Sequence, residues 1–150
     1  MARALPRELQ VISKQTITPN MLRITLGGEA MHDFPADQAG GYIKLMFETG
    51  PGSKPLVRTY TIREQRGNEV DVDFVLHGDG GPASNWAAAC EAGDSILIGG
   101  PGAKKPLDHS ADYFLLAGDM TALPAISVNL EALPSDAQGI AILEVIDQTD

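Results

Sequence analysis

Between Leu9 and Ile98 the chain breaks into six short runs of strand-like alternation, each ended by glycine, proline or a small polar turn. The runs are Leu9–Thr16, Met21–Leu26, Tyr42–Phe47, Leu56–Arg63, Glu69–His77 and Ser95–Ile98. In the second, Leu22, Ile24 and Leu26 alternate with Met21, Arg23 and Thr25, which makes one face apolar. Thr18-Pro19-Asn20 and Arg66-Gly67-Asn68 supply tight turns, and Gly27-Gly28, Gly50-Pro51-Gly52 and Gly99-Gly100-Pro101-Gly102 end runs. Glu29–Gly40 is polar and holds Pro35, so it reads as a loop with room for a helical turn. One short helix, Ser84–Glu91 with Ser84 as N-cap, precedes the last run. Six short strands with one inserted helix suit a closed or nearly closed antiparallel barrel, although periodicity alone does not separate a barrel from a sandwich.

After Lys104-Lys-Pro-Leu-Asp108 the pattern changes. Tyr113–Ala117 is a short apolar strand and Gly118-Asp119 a turn. Thr121–Leu133 repeats Leu123, Ile126, Leu130 and Leu133 at helical spacing, and Pro134 stops it. Ile140–Ile146 is a second apolar strand. Strand–helix–strand predicts a parallel pair with a right-handed crossover, and strands apolar on both faces suit a sheet covered on each side. The expected division is therefore residues 1–108 as a barrel and 109–150 as the first βαβ unit of an incomplete α/β domain. One helix cannot cover such a sheet. The surface of residues 113–150 is expected to meet a second copy or a further C-terminal portion, the chain being a fragment or a shortened member of a longer protein.

A net charge of −9 and a pI near 4.6 argue against a nucleic-acid or anionic-membrane surface. The single cysteine, Cys90, permits no intrachain disulfide and reads as a small buried hydrophobe. The N-terminus carries no apolar leader and the chain no long apolar span, which predicts a soluble cytoplasmic protein. His32 and His109 lie in polar loops, and no spacing supports a metal site.

Two stretches carry the chemistry. Arg58-Thr-Tyr-Thr-Ile-Arg63 alternates as a strand, with Arg58, Tyr60 and Ile62 on one face and Thr59, Thr61 and Arg63 on the other. A guanidinium, an aromatic ring and hydroxyls on a short strand suit a flat anionic ligand. In His77–Trp86, Gly78, Gly80 and Gly81 let backbone approach a ligand, and Pro82 and Ser84 open a helix whose first N–H groups favour an anion. Singly, these are an ordinary strand and an ordinary turn. Their order and spacing in one chain point to a site.

Five further blocks extend the pattern: Asp71-Val-Asp-Phe-Val-Leu-His-Gly78, Gly81-Pro-Ala-Ser-Asn-Trp-Ala87, Gly99-Gly-Pro-Gly102, Ala117-Gly-Asp-Met-Thr-Ala-Leu-Pro-Ala125 and Leu143-Glu-Val145. With Arg58–Arg63 they closely resemble the siderophore-interacting proteins, FAD-containing ferric-siderophore reductases of the ferredoxin-reductase-like superfamily. The resemblance implies a six-stranded Greek-key barrel with FAD on its outside, followed by an NAD(P)H-binding-like domain. It implies that Arg58 pairs with the pyrophosphate, that Tyr60 stacks on the isoalloxazine, and that Thr61, in the catalytic position, hydrogen-bonds near flavin N5. Val75 and His77 would line the ribityl chain and ring. Gly81, Ala83 and Ser84 would hold the pyrophosphate. Trp86 would cover adenine or pack at the helix base, and Arg63 would balance flavin charge or touch substrate. Lys44 would meet the anionic ferric chelate. Gly118, Asp119 and Thr121 match the turn that the nicotinamide end approaches, with Met120 where the family usually carries glutamate. No G-x-G-x-x-G follows either apolar strand.

The implied function is FAD-dependent reduction of a ferric siderophore with electrons from NAD(P)H or another donor, releasing Fe(II) for iron assimilation. A flavin-binding electron-transfer module without its own reductase activity is the alternative, and a ligand-free barrel interaction domain a third reading.

Overall fold

The computed structural model describes residues 5–78 and 80–150. The first strands are β1 (Arg7–Thr18), β2 (Met21–Gly27), β3 (Tyr42–Phe47), β4 (Leu56–Thr61), β5 (Glu64–Arg66) and β6 (Glu69–Val75). Helix α1 (Pro82–Ala89) and strand β7 (Ser95–Gly102) complete the first sheet, whose order is β4-β3-β7-β1-β2-β6-β5. The two edges, β4 and β5, are consecutive in sequence, joined through Ile62 and Arg63. The expected fourth strand thus bends after Thr61 and exchanges β3 for β6: Ile62 N donates to Gly41 O, and Arg63 N to Asp71 O. That single bent segment brings the edges together as an antiparallel Greek-key barrel.

The alternation places Leu9, Val11, Ile24, Leu26, Ile43, Leu45, Val70, Val72, Phe74 and Ile98 inside, each at most 1 % exposed. Full burial of such side chains contributes about 1.5–3 kcal/mol apiece before entropy is counted. Helix α1 lays Ala83, Ala87 and the following Cys90 on this core. It starts earlier than Ser84: Gly81 is the N-cap and Pro82 the first helical residue, where a missing N–H costs nothing, so Ser84 lies in the first turn. β7 also runs past Ile98 through Gly102, which pairs with Tyr42 of β3; the Tyr42 ring lies where a Cβ on Gly102 would stand, 2.0 Å from Cζ, so glycine is needed there.

Residues 114–144 form the second unit, with parallel strands β8 (Phe114–Asp119) and β9 (Gly139–Glu144) around helix α2 (Leu123–Glu131). Phe114, Leu116 and Ile126 make its core. Leu130, expected on the apolar stripe, is exposed. Every residue of β9 is exposed, and Leu115, Ile140 and Ile142 leave an uncovered apolar face. Met21 and Val75 of the barrel bury Met120, with Leu123 against them, and Arg63 pairs with Glu131. After β9, the Asp150 carboxylate accepts from Thr18 Oγ1 at 2.7 Å, Asn20 N at 2.9 Å and Asn20 Nδ2 at 2.9 Å, which pins this segment to the β1–β2 turn. No helix among the described residues is long and apolar enough to cross a membrane.

Candidate functional site

Where β4 turns away from β6 the barrel wall opens into a cavity of about 220 Å³. Arg58, Thr59, Tyr60 and Thr61 line one side, Asp73, Val75 and His77 the other, and Thr121 and Pro124 at the start of α2 close the end. A second cavity of about 520 Å³ lies between α1, the β1–β2 turn and Ile146; Asn20, Gly78, Ser84 and Asn85 line it. His77 lines both, so the two cavities adjoin there, one at the β4 edge and the other at the mouth of α1, and together they are called the trough.

Each wall follows from local structure. The Tyr60 ring rests on Phe74, centroids 4.5 Å apart at 33°, so one face is supported by the core while the ring stays half-buried. Burial holds the Tyr60 phenol above its ordinary pKa despite the nearby Arg58 cation, and it remains a neutral donor. The exposed Arg58 donates only to its neighbour, Val57 O at 3.0 Å, and forms no ion pair among the described residues. Its guanidinium is therefore available to an anion. At the other end the chain passes closely over α1. A Cβ on Gly80 would stand 2.7 Å from Asn85 Oδ1, 3.1 Å from Ser84 Oγ and 3.2 Å from His77 O, so a larger residue there must displace the Asn85 and Ser84 side chains, whereas a Cβ on Gly81 would meet nothing. Ala83 turns its methyl into the core, which leaves backbone N–H groups of the first turn for a ligand.

Asp119 accepts from Thr121 N at 2.9 Å, Thr121 Oγ1 at 2.5 Å and Ala122 N at 3.3 Å. These bonds, the Thr121 hydroxyl foremost, hold its carboxyl below the usual range. They fix the turn that delivers Thr121 to the trough. Gly118 packs where a Cβ would lie 2.6 Å from the Ala122 Cβ, so its place is structural.

Arg58, Tyr60, Thr61, Val75, His77 and Thr121 thus line the first cavity, and His77 and Ser84 the second. Trp86 lies outside it, at the base of α1, with ring centroids 5.8 Å from Phe74 and 6.2 Å from Phe47. Arg63 is engaged with Glu131. Lys44 stands on the outer face of β3, opposite Thr59, in a separate surface cavity of about 580 Å³ that also holds Lys54. Met120, buried at the seam, does not line the trough. Among the lining residues that the sequence left without a role is Asp73, whose partner Arg23 stands on another strand. Among the described residues no cluster suits a metal ion.

The siderophore-interacting FAD-binding domain matches residues 10–56 and 48–105, and the siderophore-interacting protein profile matches residues 111–150. Ferric vibriobactin reductase ViuB of Vibrio cholerae is 40% identical over 167 residues, covering 99% of this chain and 62% of its own length. The NADPH-dependent ferric-chelate reductase of Escherichia coli is 32% identical, covering 85% of this chain and 57% of its own. The crystal structure of the siderophore-interacting protein SipS from Aeromonas hydrophila superposes with a TM-score of 0.86 at 41% identity, over 97% of this chain and 61% of that one. Phthalate dioxygenase reductase, at 19% identity and TM-score 0.69 over 96% of this chain and 45% of that one, shares the fold. The chain spans about three fifths of the length of ViuB and of the Escherichia coli reductase. With its ferredoxin-reductase-like barrel, its trough and these matches in register, the chain belongs to the siderophore-interacting protein family.

Proposed function

We propose that the trough holds FAD and that the protein serves reduction of ferric siderophores, with NAD(P)H as electron donor. The observation that carries this reading is a pair of adjoining cavities that share His77, with a guanidinium unpaired among the described residues, a core-backed tyrosine and a helix mouth beside the Gly80 crossing. The donor set fits a dinucleotide. Arg58 and the first turn of α1, through Gly81, Ala83 and Ser84, hold the pyrophosphate. Tyr60 supports the ring on its outer face, and Thr61 offers a hydroxyl to the ring edge near N5. Val75 and His77 line the middle. When bound, FAD would link a two-electron donor to one-electron acceptors. The chain's own residues bind, orient and shield it, and α2 with Gly118, Asp119 and Thr121 frames the approach of the nicotinamide. Residues 1–108 would form the FAD domain and residues 109–150 the beginning of the nicotinamide domain. Lys44, with Lys54 nearby, offers positive charge to an anionic ferric chelate. A single exposed ion pair contributes at most about 1 kcal/mol, so chelate recognition needs further cations.

The test begins with the visible spectrum and quenching of flavin fluorescence. Wild-type protein is expected to be yellow and to retain FAD. Arg58→Ala and Tyr60→Ala are each expected to weaken FAD binding by about tenfold or more. Unchanged affinity in both sinks the site. NADPH consumption with a ferric chelate, read with an Fe(II)-trapping dye, tests the reductase. A second reading is a flavin-binding electron-transfer module without its own reductase activity. Yellow protein that oxidises neither NADH nor NADPH would select it.

A further inference from the structure

Asp73 is a buried carboxylate in the wall of the trough, and the FAD reading gives it no role. It is 9 % exposed and sits on β6 two residues before Val75, on the same outward face. Its cross-strand partner Arg23 grips it in bidentate fashion, Nε to Oδ1 at 2.7 Å and Nη2 to Oδ2 at 2.9 Å. An ionised carboxylate can accept about four hydrogen bonds, two on each oxygen. Arg23 takes one on each. Asp71, two residues earlier, differs. Its Oδ1 accepts from both Thr25 and Arg66, its Oδ2 from Arg66, and it lines neither cavity of the trough. Asp73 therefore keeps spare acceptor capacity where the cavity lies, and Arg23 offsets its charge, so it need not repel a phosphate bound at Arg58.

Its neighbours tell which part of a ligand it meets. Tyr60 stacks on Phe74, the residue that follows Asp73, and Asp73 lines the same cavity as Tyr60 and Thr61. Asp73 thus faces the ring end of the trough, and Arg58 lies toward His77 and α1. An acceptor-only group there requires an N–H or O–H donor. On the edge of an oxidised isoalloxazine the donor is the imide N3–H, separated from N5 by the C4 carbonyl and C4a.

We infer that Asp73, held by Arg23, is a flavin-binding residue that accepts the imide N3–H of the isoalloxazine ring and so fixes the ring's orientation against Tyr60 and Thr61. This rests on the FAD reading above. The binding is a hydrogen bond only, with no bond made or broken.

The experiment compares FAD with its N3-methyl analogue, which lacks that proton, by fluorescence quenching and by thermal shift. Wild-type protein should bind FAD about tenfold or more tightly than the N3-methyl compound. Asp73→Leu should lose most of that preference, because it loses affinity for FAD while binding of the methylated compound changes little. If Asp73→Leu alone fails to fold, the double variant Arg23→Met/Asp73→Leu removes both charges together, a change that buried pairs tolerate. The same ratio is then read on it. A wild type that does not discriminate, or a folded variant that keeps the full preference, overturns the inference. Equal weakening of both compounds by the variant also overturns it, since a ribityl contact or a purely structural role would produce that result. Absence of FAD binding by the wild type would instead sink the FAD reading, and with it the basis of this one.

Discussion

Arg63 in the barrel and Glu131 in α2 meet as a bidentate ion pair, Nη2 to Oε1 at 2.5 Å and Nη1 to Oε2 at 3.1 Å. It joins the bend of the barrel to the far end of the helix whose first turn closes the trough. The glutamate side chain is 59% exposed, so the pair contributes at most about 1 kcal/mol and is screened by salt. Arg63→Ala should lower the melting temperature by roughly 2–4 °C at low ionic strength, and by less in 1 M salt. Glu131→Ala should match it, and the double variant should cost no more than either alone. If Arg63→Ala weakens FAD binding tenfold while Glu131→Ala does not, Arg63 touches the flavin.

Phe74 is fully buried and stands behind Tyr60. Phe74→Ala should cost about 3–5 kcal/mol, a large share of the stability of a domain this size. Phe74→Leu should preserve the fold but release the tyrosine ring, and its effect should appear chiefly as weaker flavin binding. Chemical denaturation and flavin titration on the same samples separate the two.

Gly80 is the position where backbone crosses the helix mouth. Gly80→Ala sets a methyl against the Asn85 and Ser84 side chains, which should turn them aside at the helix mouth. FAD affinity should fall several-fold while the barrel melts within a few degrees of wild type. Gly81→Ala, with open space at its Cβ, should be milder.

Asp71 titrates low. Burial raises its pKa, but the hydrogen bonds from Arg66 and Thr25 outweigh that and bring it below the ordinary value of 3.8. A depressed carboxyl stabilises the fold above the unfolded pKa and loses that contribution as pH falls through the folded one. Stability should therefore be insensitive to this group above about pH 5 and drop below about pH 4. Asp71→Asn should flatten this part of the acid limb, measured as denaturation midpoint against pH.

The β8–β9 sheet leaves Leu115, Ile140 and Ile142 uncovered. Isolated protein should self-associate through this face, so its sedimentation coefficient should rise with concentration. Ile140→Lys with Ile142→Lys should abolish the rise without disturbing flavin binding.

Much of this architecture was legible from alternation alone. Tyr42–Phe47 is a strand with the bounds its pattern gives, and β8-α2-β9 follows from apolar runs flanking a helical repeat. The fourth strand was harder. Arg58–Arg63 alternates without interruption, and only the need to close the sheet breaks it at Ile62. Ser84 looked like a cap because hydroxyl residues favour that place, but Pro82 fits the first helical position and moves the start two residues earlier. Arg58, Tyr60 and Thr61 could be picked out as neighbours on one strand. Asp73 could not, because its meaning comes from Arg23, fifty residues away in sequence and adjacent only once β2 and β6 pair. Glu131 is similarly silent until α2 docks.

The bent segment from Leu56 to Arg66 has a consequence for how such a protein can change. One piece of backbone is both the seam that shuts the cylinder and the shelf on which a ligand would lie. Widening the groove means loosening the seam, and tightening the seam narrows the groove. Adaptation to a bulkier guest should therefore come from the rim, at the first turn of α2 and the glycine crossing, while the seam itself stays as it is.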